Sequence, residues 1–482
     1  MQGIEYQWVQ GPDQDIQGIS YDSRRTGKDF LFVCIPGFKT DGHQYVEQAV
    51  ANGATMILAQ HRVELPETVT ILITGNTRQA LAVAAANFYG HPSRKIHTVG
   101  ITGTNGKTTT SHIIQAILEK WGKKTGIMGT LYARIDDKIK DYGRTTPEAP
   151  DIQAFLADVA KYNGDYMVME VSSHALDLHR VDEIHFTSAV FTNLTQDHLD
   201  YHQSMEAYRA CKVKLFEQLN LTGGTGILNR DDPAYPFFRD ACPAAVISYG
   251  LHEDADVQAL DVQTTVEGTH FNVVYQDLQF PIQTPLIGLF SVYNALAAIA
   301  FALQEGIEPP LIQRALQEMK GVPGRFEQVD CGQDFTVVVD YAHTPDGLKN
   351  ILKTGRDLTE NRLITVFGCG GDRDRSKRPR MGEIAARYSD FSIVTSDNPR
   401  TEAPDKIIDD IVPGLEKVPG SRYTVVLDRR EAIHMAITMA RPGDLIIIAG
   451  KGHESYQLIN EQIIPFDDRK VAAECLKGLK QE

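Results

Sequence analysis

Ile96-His97-Thr98-Val99-Gly100-Ile101-Thr102 runs straight into Gly103-Thr104-Asn105-Gly106-Lys107-Thr108-Thr109, and these fourteen residues decide the fold. The first seven make the apolar, β-branched run expected of a strand covered on both faces. Residues 109–121, TTSHIIQAILEKW, carry the spacing of an amphipathic helix. Between strand and helix, the glycines let backbone N–H groups turn towards an anion, and the helix N-terminus adds partial positive charge. Lys107 is placed to neutralise phosphates, and the Thr108 hydroxyl to ligate Mg²⁺. The strict pattern GxxxxGK[ST] fails only because Ile101 stands where its first glycine belongs. Gly103, Thr104, Asn105, Gly106, Lys107, Thr108 and Thr109 therefore read as an ATP or GTP site on a P-loop.

Working outward, short apolar runs alternate with helical patterns almost throughout, which predicts α/β architecture with mostly parallel sheets. The first block holds LFVCIP (31–36) and TILITG (70–75). A break at HPSRK (91–95) precedes the strand already quoted, and the second block continues through DYMVMEVS (165–172) and TSAVFTNL (187–194). Glycine and proline interrupt the pattern again in KGVPGR (320–325). Beyond it lie FTVVVDYA, RLITVFGC, FSIVTSD, YTVVLD and DLIIIAGKG, each an almost unbroken apolar run. Three α/β domains are predicted, at 1–92, 93–322 and 323–482, with the P-loop in the middle one.

The 482 residues are 42% hydrophobic and 23% charged, enough to bury several cores without metal or disulfide staples. Lys and Arg number 48 against 63 Asp and Glu, a net charge of −15, which argues against general nucleic-acid binding. MQGIEYQWVQ has no basic and apolar leader, and no run of about 18 apolar residues exists, so a cytoplasmic protein without a membrane partner is expected. Cys34, Cys211, Cys242, Cys331, Cys369 and Cys475 follow no CxxC spacing and read as reduced thiols. The chain is expected to be a monomer.

A P-loop alone leaves a kinase, a GTPase switch, an ATPase motor and an ATP-dependent ligase open. Further motifs decide among them: YDSR (21–24), DGH (41–43), TTP (145–147), MEVSSHAL (169–176), TNLTQDHLDYH (192–202), GRFE (324–327), DYAHTPD (340–346), GCGGDRDRSKRP (368–379), SDNPR (396–400) and GKGHE (450–454). With TGTNGKTT they resemble, in order and over essentially the whole chain, the Mur ligases. Folylpolyglutamate and cyanophycin synthetases share the loop, but the block before Val99 counts against the former, which start close to their P-loop. The resemblance implies a central ATPase domain, an N-terminal UDP-sugar domain and a C-terminal Rossmann-like domain for the amino acid. It also implies ATP-dependent amide formation through an acyl phosphate, in peptidoglycan precursor synthesis. A nucleotide-dependent binding switch is the reading from another class; it leaves the C-terminal motifs unexplained.

Residue by residue, the resemblance implies that Glu170 joins Thr108 in holding Mg²⁺ and that His198 ligates a second ion. It implies that Lys212 is carbamylated to N6-carboxylysine, the carboxylate-like product holding that second Mg²⁺. Lys214, about 200° round the helix, should face elsewhere. Asn294 matches the adenine-side Asn, and Arg325 and Asp340 match residues that close over phosphates and ribose. Tyr21, Ser23, Phe38, Lys39 and Thr40, with Thr145, Thr146, Ser172 and Arg180, match positions for the UDP-N-acetylmuramoyl-L-Ala-D-Glu substrate. One departure stands out: Leu178 occupies the place of the family's usual Gln.

For the incoming amino acid, Asp397-Asn398-Pro399-Arg400 is the tetrad of family members that add meso-diaminopimelate. Arg400 can pair with the distal carboxylate of that substrate and would repel the bare ammonium of lysine. Arg373, Gly450 and Glu454 complete the implied pocket, with Glu454 on the distal ammonium. The L-lysine-adding ligase of the same family is the alternative. In Arg373, Arg375, Lys377, Arg378 and Arg380 the interleaved aspartates favour a small-anion site over nucleic acid.

Overall fold

The computed structural model describes residues 2–37, 40–221, 223–359, 361–460 and 462–479. These residues build sheets of five, eleven and six strands and one two-stranded hairpin. The first sheet orders Gln7–Gln10, Thr70–Ile73, Ala54–Ala59, Phe30–Val33 and Gly18–Ser20, parallel except at its Gln7–Gln10 edge.

The middle of the eleven-stranded sheet runs parallel from Val257–Thr265 through Ala245–Gly250, Thr225–Asn229, Ser188–Phe191, His97–Thr102 and Tyr166–Glu170 to Thr125–Met128. Val99 pairs with both Val168 and Ser188, so the strand feeding the phosphate loop sits between the strands that end at Glu170 and Phe191. Antiparallel wings, absent from the expectation of mostly parallel strands, extend both edges. Gly268–Tyr275 and Leu278–Thr284 add to one, Ala133–Ile135 and Lys138–Lys140 to the other. Along Leu278–Thr284, Phe280, Ile282 and Thr284 are buried while Gln279, Pro281 and Gln283 are exposed, the alternation of a sheet with one wet face.

The last sheet orders Glu327–Gln328, Thr336–Asp340, Leu445–Ala449, Leu363–Phe367, Phe391–Val394 and Tyr423–Val425, parallel except for its first pair. Under the central sheet, the helix Leu289–Gln304 packs on the phosphate-loop helix Lys107–Lys120. Its residues Ala295 to Ala302 are all sealed from solvent, five alanines among them allowing close approach. Six apolar clusters form, two for each sheet; Ile287 and Phe290 reach from the central block into a C-terminal one. Among the described residues no helix is long and apolar enough to cross a membrane.

Candidate active site

Parallel strands deliver their carboxyl ends, and the loops after them, to one crevice. His97–Thr102 ends in the phosphate loop, where Gly103 and Gly106 adopt φ of 147° and 87°. A side chain on Gly103 would strike Thr192 Oγ1, and one on Gly106 would strike Asn294 Oδ1, so both positions need glycine. Neighbouring loops brace the turn: Thr104 N donates to Asn193 O (2.8 Å) and Asn105 N to Asn193 Oδ1 (2.9 Å). The helix begins at Lys107 with no side-chain cap, leaving its first N–H groups for an anion. Lys107 Nζ donates to Gly103 O and Thr104 O, both at 2.8 Å, and burial pushes its pKa down. Thr108 and Thr109 are buried beside it.

Glu170 closes the next strand. Its carboxylate accepts from the Thr108 hydroxyl (3.1 Å), the Thr130 hydroxyl (2.9 Å) and the Thr130 N–H (2.9 Å). Thr130 carries no motif signal, and only the structure brings it here. Lys212, on the helix Met205–Glu217, is buried and donates to Gly103 O at 2.7 Å. Burial, then the nearby Lys107 charge, push its pKa well below that of a free lysine. Lys214 points elsewhere, 3.6 Å from Asp177. His198 has a left-handed backbone (φ 54°) and places Nε2 3.4 Å from Asp197 Oδ2; burial pulls its pKa down to about 3 despite that carboxylate.

From the C-terminal sheet, Arg325 reaches back to donate to the Thr108 hydroxyl at 2.9 Å, its guanidinium over the Tyr341 ring. Asp340 is buried and accepts from Phe326 N (2.6 Å) and Ala342 N (2.7 Å); burial raises its pKa. Asn294 accepts from Thr110 Oγ1 at 3.4 Å. A cavity of about 750 Å³ opens beside Arg325, lined also by Thr109, Phe290 and Gln328 among others, but not by Asn294 or Asp340. A contact between two of the quoted motifs, Asn105 Nδ2 to Asp346 Oδ2 (3.1 Å), also ties the phosphate loop to the C-terminal block.

Of the residues matched to the nucleotide-sugar substrate, Phe38 and Lys39 lie outside the described residues, and Thr40 is exposed. The Tyr21 hydroxyl donates to Asp151, and Ser23 Oγ to Gln48 Oε1 (2.7 Å). Thr145 Oγ1 lies 3.1 Å from Thr130 Oγ1. The Thr146 hydroxyl donates to Glu170 O (2.9 Å) and accepts from Ser172 N (3.1 Å), while Ser172 caps the helix after it. Arg180 is expected to clamp a substrate anion. Here it holds the chain's own Glu148 at 2.8 Å and donates to Thr146 O at 2.9 Å.

In the C-terminal crevice, Asp397 follows Phe391–Val394 and Gly450 follows Leu445–Ala449. Gly450 has φ 120°, and a side chain there would meet Asp397 Oδ2. Arg400, after Pro399, is left-handed (φ 54°) and held by the hairpin Tyr456–Ile459/Gln462–Pro465: Arg400 N donates to Leu458 O (2.9 Å), and Asn460 N to Arg400 O (2.8 Å). Its guanidinium donates to Gly371 O (2.7 Å), and burial together with the Arg373 charge lowers its pKa. Glu454 is not free: it accepts from Asn398 Nδ2 (2.8 Å) and from the buried Lys451 (2.9 Å). Lys451 lies within the GKGHE motif, yet only Gly450 and Glu454 were singled out there. Of the basic cluster, Arg378 is buried between Glu402 (2.7 Å) and Asp410 (2.9 Å), and Arg375 also pairs with Asp410. Those two arginines hold the loop rather than a ligand.

This arrangement has counterparts. Residues 15–89 match the Mur ligase family catalytic domain, 101–302 the Mur ligase middle domain, and 324–452 the Mur ligase glutamate ligase domain. The chain belongs to the Mur ligase family. This Mur ligase is 57% identical over 470 residues to the UDP-N-acetylmuramoyl-L-alanyl-D-glutamate--2,6-diaminopimelate ligase of Syntrophomonas wolfei, covering 97% of this chain and 96% of that one. The enzyme of the same name from Bacillus licheniformis is 45% identical over 473 residues, 97% of this chain and 96% of that one. A solved structure of a ligase with that name superposes with a TM-score of 0.68 at 33% identity, covering 97% and 96% of the two chains. The MurF ligase of Thermotoga maritima in complex with ADP shares the fold, with a TM-score of 0.65 at 18% identity over 96% of each chain.

Proposed function

We propose that this Mur ligase joins meso-2,6-diaminopimelate to the D-glutamyl side-chain carboxylate of UDP-N-acetylmuramoyl-L-alanyl-D-glutamate, converting ATP to ADP and phosphate. A carboxylate oxygen attacks the γ-phosphorus, and ADP leaves. The amine of the second substrate then attacks the acyl carbon, phosphate departs, and the nitrogen gives up its proton. The observation that carries the acceptor assignment is Arg400, locked by the hairpin beside the Arg373 charge. A cationic rim suits a second carboxylate and repels the bare ammonium of lysine.

In this reading residues 1–92 take the nucleotide sugar, 93–322 ATP and 323–482 the amino acid, a division supported by the three sheets. Gly103 to Gly106 and Thr109 offer the loop's donors, and Lys107 exchanges its two carbonyls for phosphate oxygens. Asn294, Arg325 and Asp340 are the nucleoside-side residues of this reading, and the 750 Å³ cavity lined by Arg325 has room for a nucleoside. Magnesium fits at Thr108 and Glu170, whose oxygens stand 3.1 Å apart, and when bound it neutralises phosphate charge. Among the described residues no ready trio of His, Cys, Asp and Glu awaits a second ion. His198 and Lys212 would hold one once Lys212 carries a carboxylate. Its buried amine, driven towards the neutral form, is a nucleophile for carbon dioxide: the N–C bond forms, and the nitrogen loses a proton.

The test is ADP and phosphate release with Mg-ATP and UDP-N-acetylmuramoyl-L-Ala-D-Glu, run with meso-diaminopimelate, L-lysine, L-ornithine or no acceptor. Release with diaminopimelate alone, plus a UDP-tripeptide of matching mass, supports the reading. Release with lysine instead would overturn the acceptor assignment, and silence with every acceptor would overturn the ligase chemistry.

A further inference from the structure

Five basic residues lie between 373 and 380, and four of them have partners. Arg373 donates to Asp372 O at 2.9 Å, Arg375 and Arg378 hold Asp410, and Arg380 donates to Gln196. Lys377 differs. It is only 6% exposed, yet among the described residues no hydrogen bond or ion pair meets its ammonium. A buried cation left unpaired is costly, and a fold that keeps one has reason to expect an anion there. Lys377 opens the helix Lys377–Tyr388, where the backbone has little to offer a ligand: Arg378 N is given to Arg375 O (3.1 Å), and Pro379 has no N–H. The free donor at this end is the Lys377 side chain.

Its surroundings say which anion it awaits. The start of the helix is pinned to the central block by Gln196, which donates to Ser376 Oγ at 3.4 Å and accepts from Arg380. Asp197, the next residue, is buried; burial works to raise its carboxyl, yet His198, His343 and Lys377 hold it down at about 2. The same carboxylate acts on Lys107 of the phosphate loop. Asp197 thus stands between two ammoniums, one from the central sheet and one from the C-terminal block. The charges that act most on Arg400, in the acceptor crevice, are Arg373, Asp397, Glu454 and Asp372, and Lys377 is not among them. Lys377 belongs to the phosphate side of the crevice.

We propose that Lys377 is a further catalytic residue, whose ammonium binds the non-bridging oxygens of the phosphoryl group as it passes from ATP to the donor carboxylate. The proposal rests on the ligase reading and deepens it. In that step the carboxylate oxygen forms its bond to the γ-phosphorus, the bond from phosphorus to the ADP oxygen breaks, and ADP leaves with the electron pair. Lys377 transfers no proton. It donates hydrogen bonds to oxygens whose charge must be held while the phosphorus changes partners. Lys107 approaches that group from the central sheet and Lys377 from the opposite block.

The experiment measures ADP release with Mg-ATP and UDP-N-acetylmuramoyl-L-Ala-D-Glu in wild type, Lys377→Met and Lys377→Arg, using meso-diaminopimelate or hydroxylamine as nucleophile. Hydroxylamine traps an acyl phosphate as the hydroxamate without needing the amino-acid pocket. Lys377→Met is expected to lower kcat with both nucleophiles by roughly 100-fold, the loss typical of one preorganised donor. KM for diaminopimelate stays close to that of wild type, and Lys377→Arg recovers part of kcat. The unfolding midpoint of ligand-free Lys377→Met matches or exceeds that of wild type, because an unpaired buried charge has gone. A loss confined to diaminopimelate and carried by KM, with hydroxamate formation intact, would overturn the proposal and give Lys377 to the acceptor's carboxylate. So would an unchanged kcat with both nucleophiles, or a midpoint that falls in step with activity, as from a merely structural role. A wild type that releases no ADP with either nucleophile would remove the ligase reading and this proposal with it, whereas an active wild type equalled by Lys377→Met strikes Lys377 alone.

Discussion

Arg325 and Thr108 are 217 residues apart in sequence, and the Arg325 guanidinium donates to the Thr108 hydroxyl at 2.9 Å. The residue that opens the C-terminal block thus touches the first turn of the phosphate-loop helix directly. Under the proposed function, closing that block would complete the nucleotide site, and the contact gives a handle on it.

Replacing Arg325 by Ala is expected to lower kcat/KM for ATP by roughly 10- to 100-fold, the range for a lost bond to a charged group. Lysine at the position recovers only part, since an ammonium lacks the planar fork. Steady-state kinetics at varied ATP, with unfolding midpoints as a control, check this. An unchanged kcat/KM would reduce the contact to packing.

Lys212 is expected to take up ¹³C from labelled bicarbonate and give a carbamate resonance in ¹³C NMR of the folded protein. Lys212→Ala should lose both that resonance and ligase activity. The same resonance in the variant would place the modification on another amine.

Arg400→Ala is expected to reduce kcat/KM for meso-diaminopimelate by about 10- to 100-fold while leaving ATP affinity intact. Calorimetric ATP titration alongside acceptor kinetics separates the two. An equal fall in nucleotide affinity would remove Arg400 from the acceptor pocket.

Buried His343 and His453 are pulled down to about 4 and about 3, by burial first and then by Lys377 for His343 and Arg325 for His453. Their folded-state values lie below the unfolded value of about 6.5, so the unfolded chain binds more protons as pH falls from there towards 4. Each such histidine therefore contributes stability at neutral pH that is lost on acidification, with a slope of up to about 1.4 kcal/mol per pH unit. Urea unfolding between pH 4.5 and 7 should show a shallower pH dependence in His453→Asn than in wild type, in a window set by the histidine shifts about.

How far residues can be read without coordinates depends on whether their partners are local. The phosphate loop is legible because strand, glycine turn and helix are contiguous, and one backbone geometry suits one anion. Asp397 to Arg400 is legible as a motif, but the hairpin that locks Arg400 comes from about sixty residues later and leaves no mark in the tetrad. The antiparallel wings go unread because Leu278–Thr284 buries one face only, and its polar positions look like loop. Arg78 and Glu148 look like solvated charges in sequence, and only the packing of two sheets gathers them. Lys451 sits inside a legible motif, yet an ammonium neutralising Glu454 cannot be inferred from residues that fit a ligand equally well.

The six apolar clusters hardly cross from one sheet to the next, whereas the junctions are built of Tyr21 and Arg25 on Asp151, Arg78 on Glu148, Asn105 on Asp346 and Arg325 on Thr108. Polar seams between separately packed interiors do not weld three bodies into one cooperative unit. Heat should therefore melt this chain in more than one step, and its thermostability is a set of values. A nucleotide would raise the steps of the two bodies it bridges, and an acceptor amino acid chiefly the last, so a calorimetric trace would record which ligand sits where.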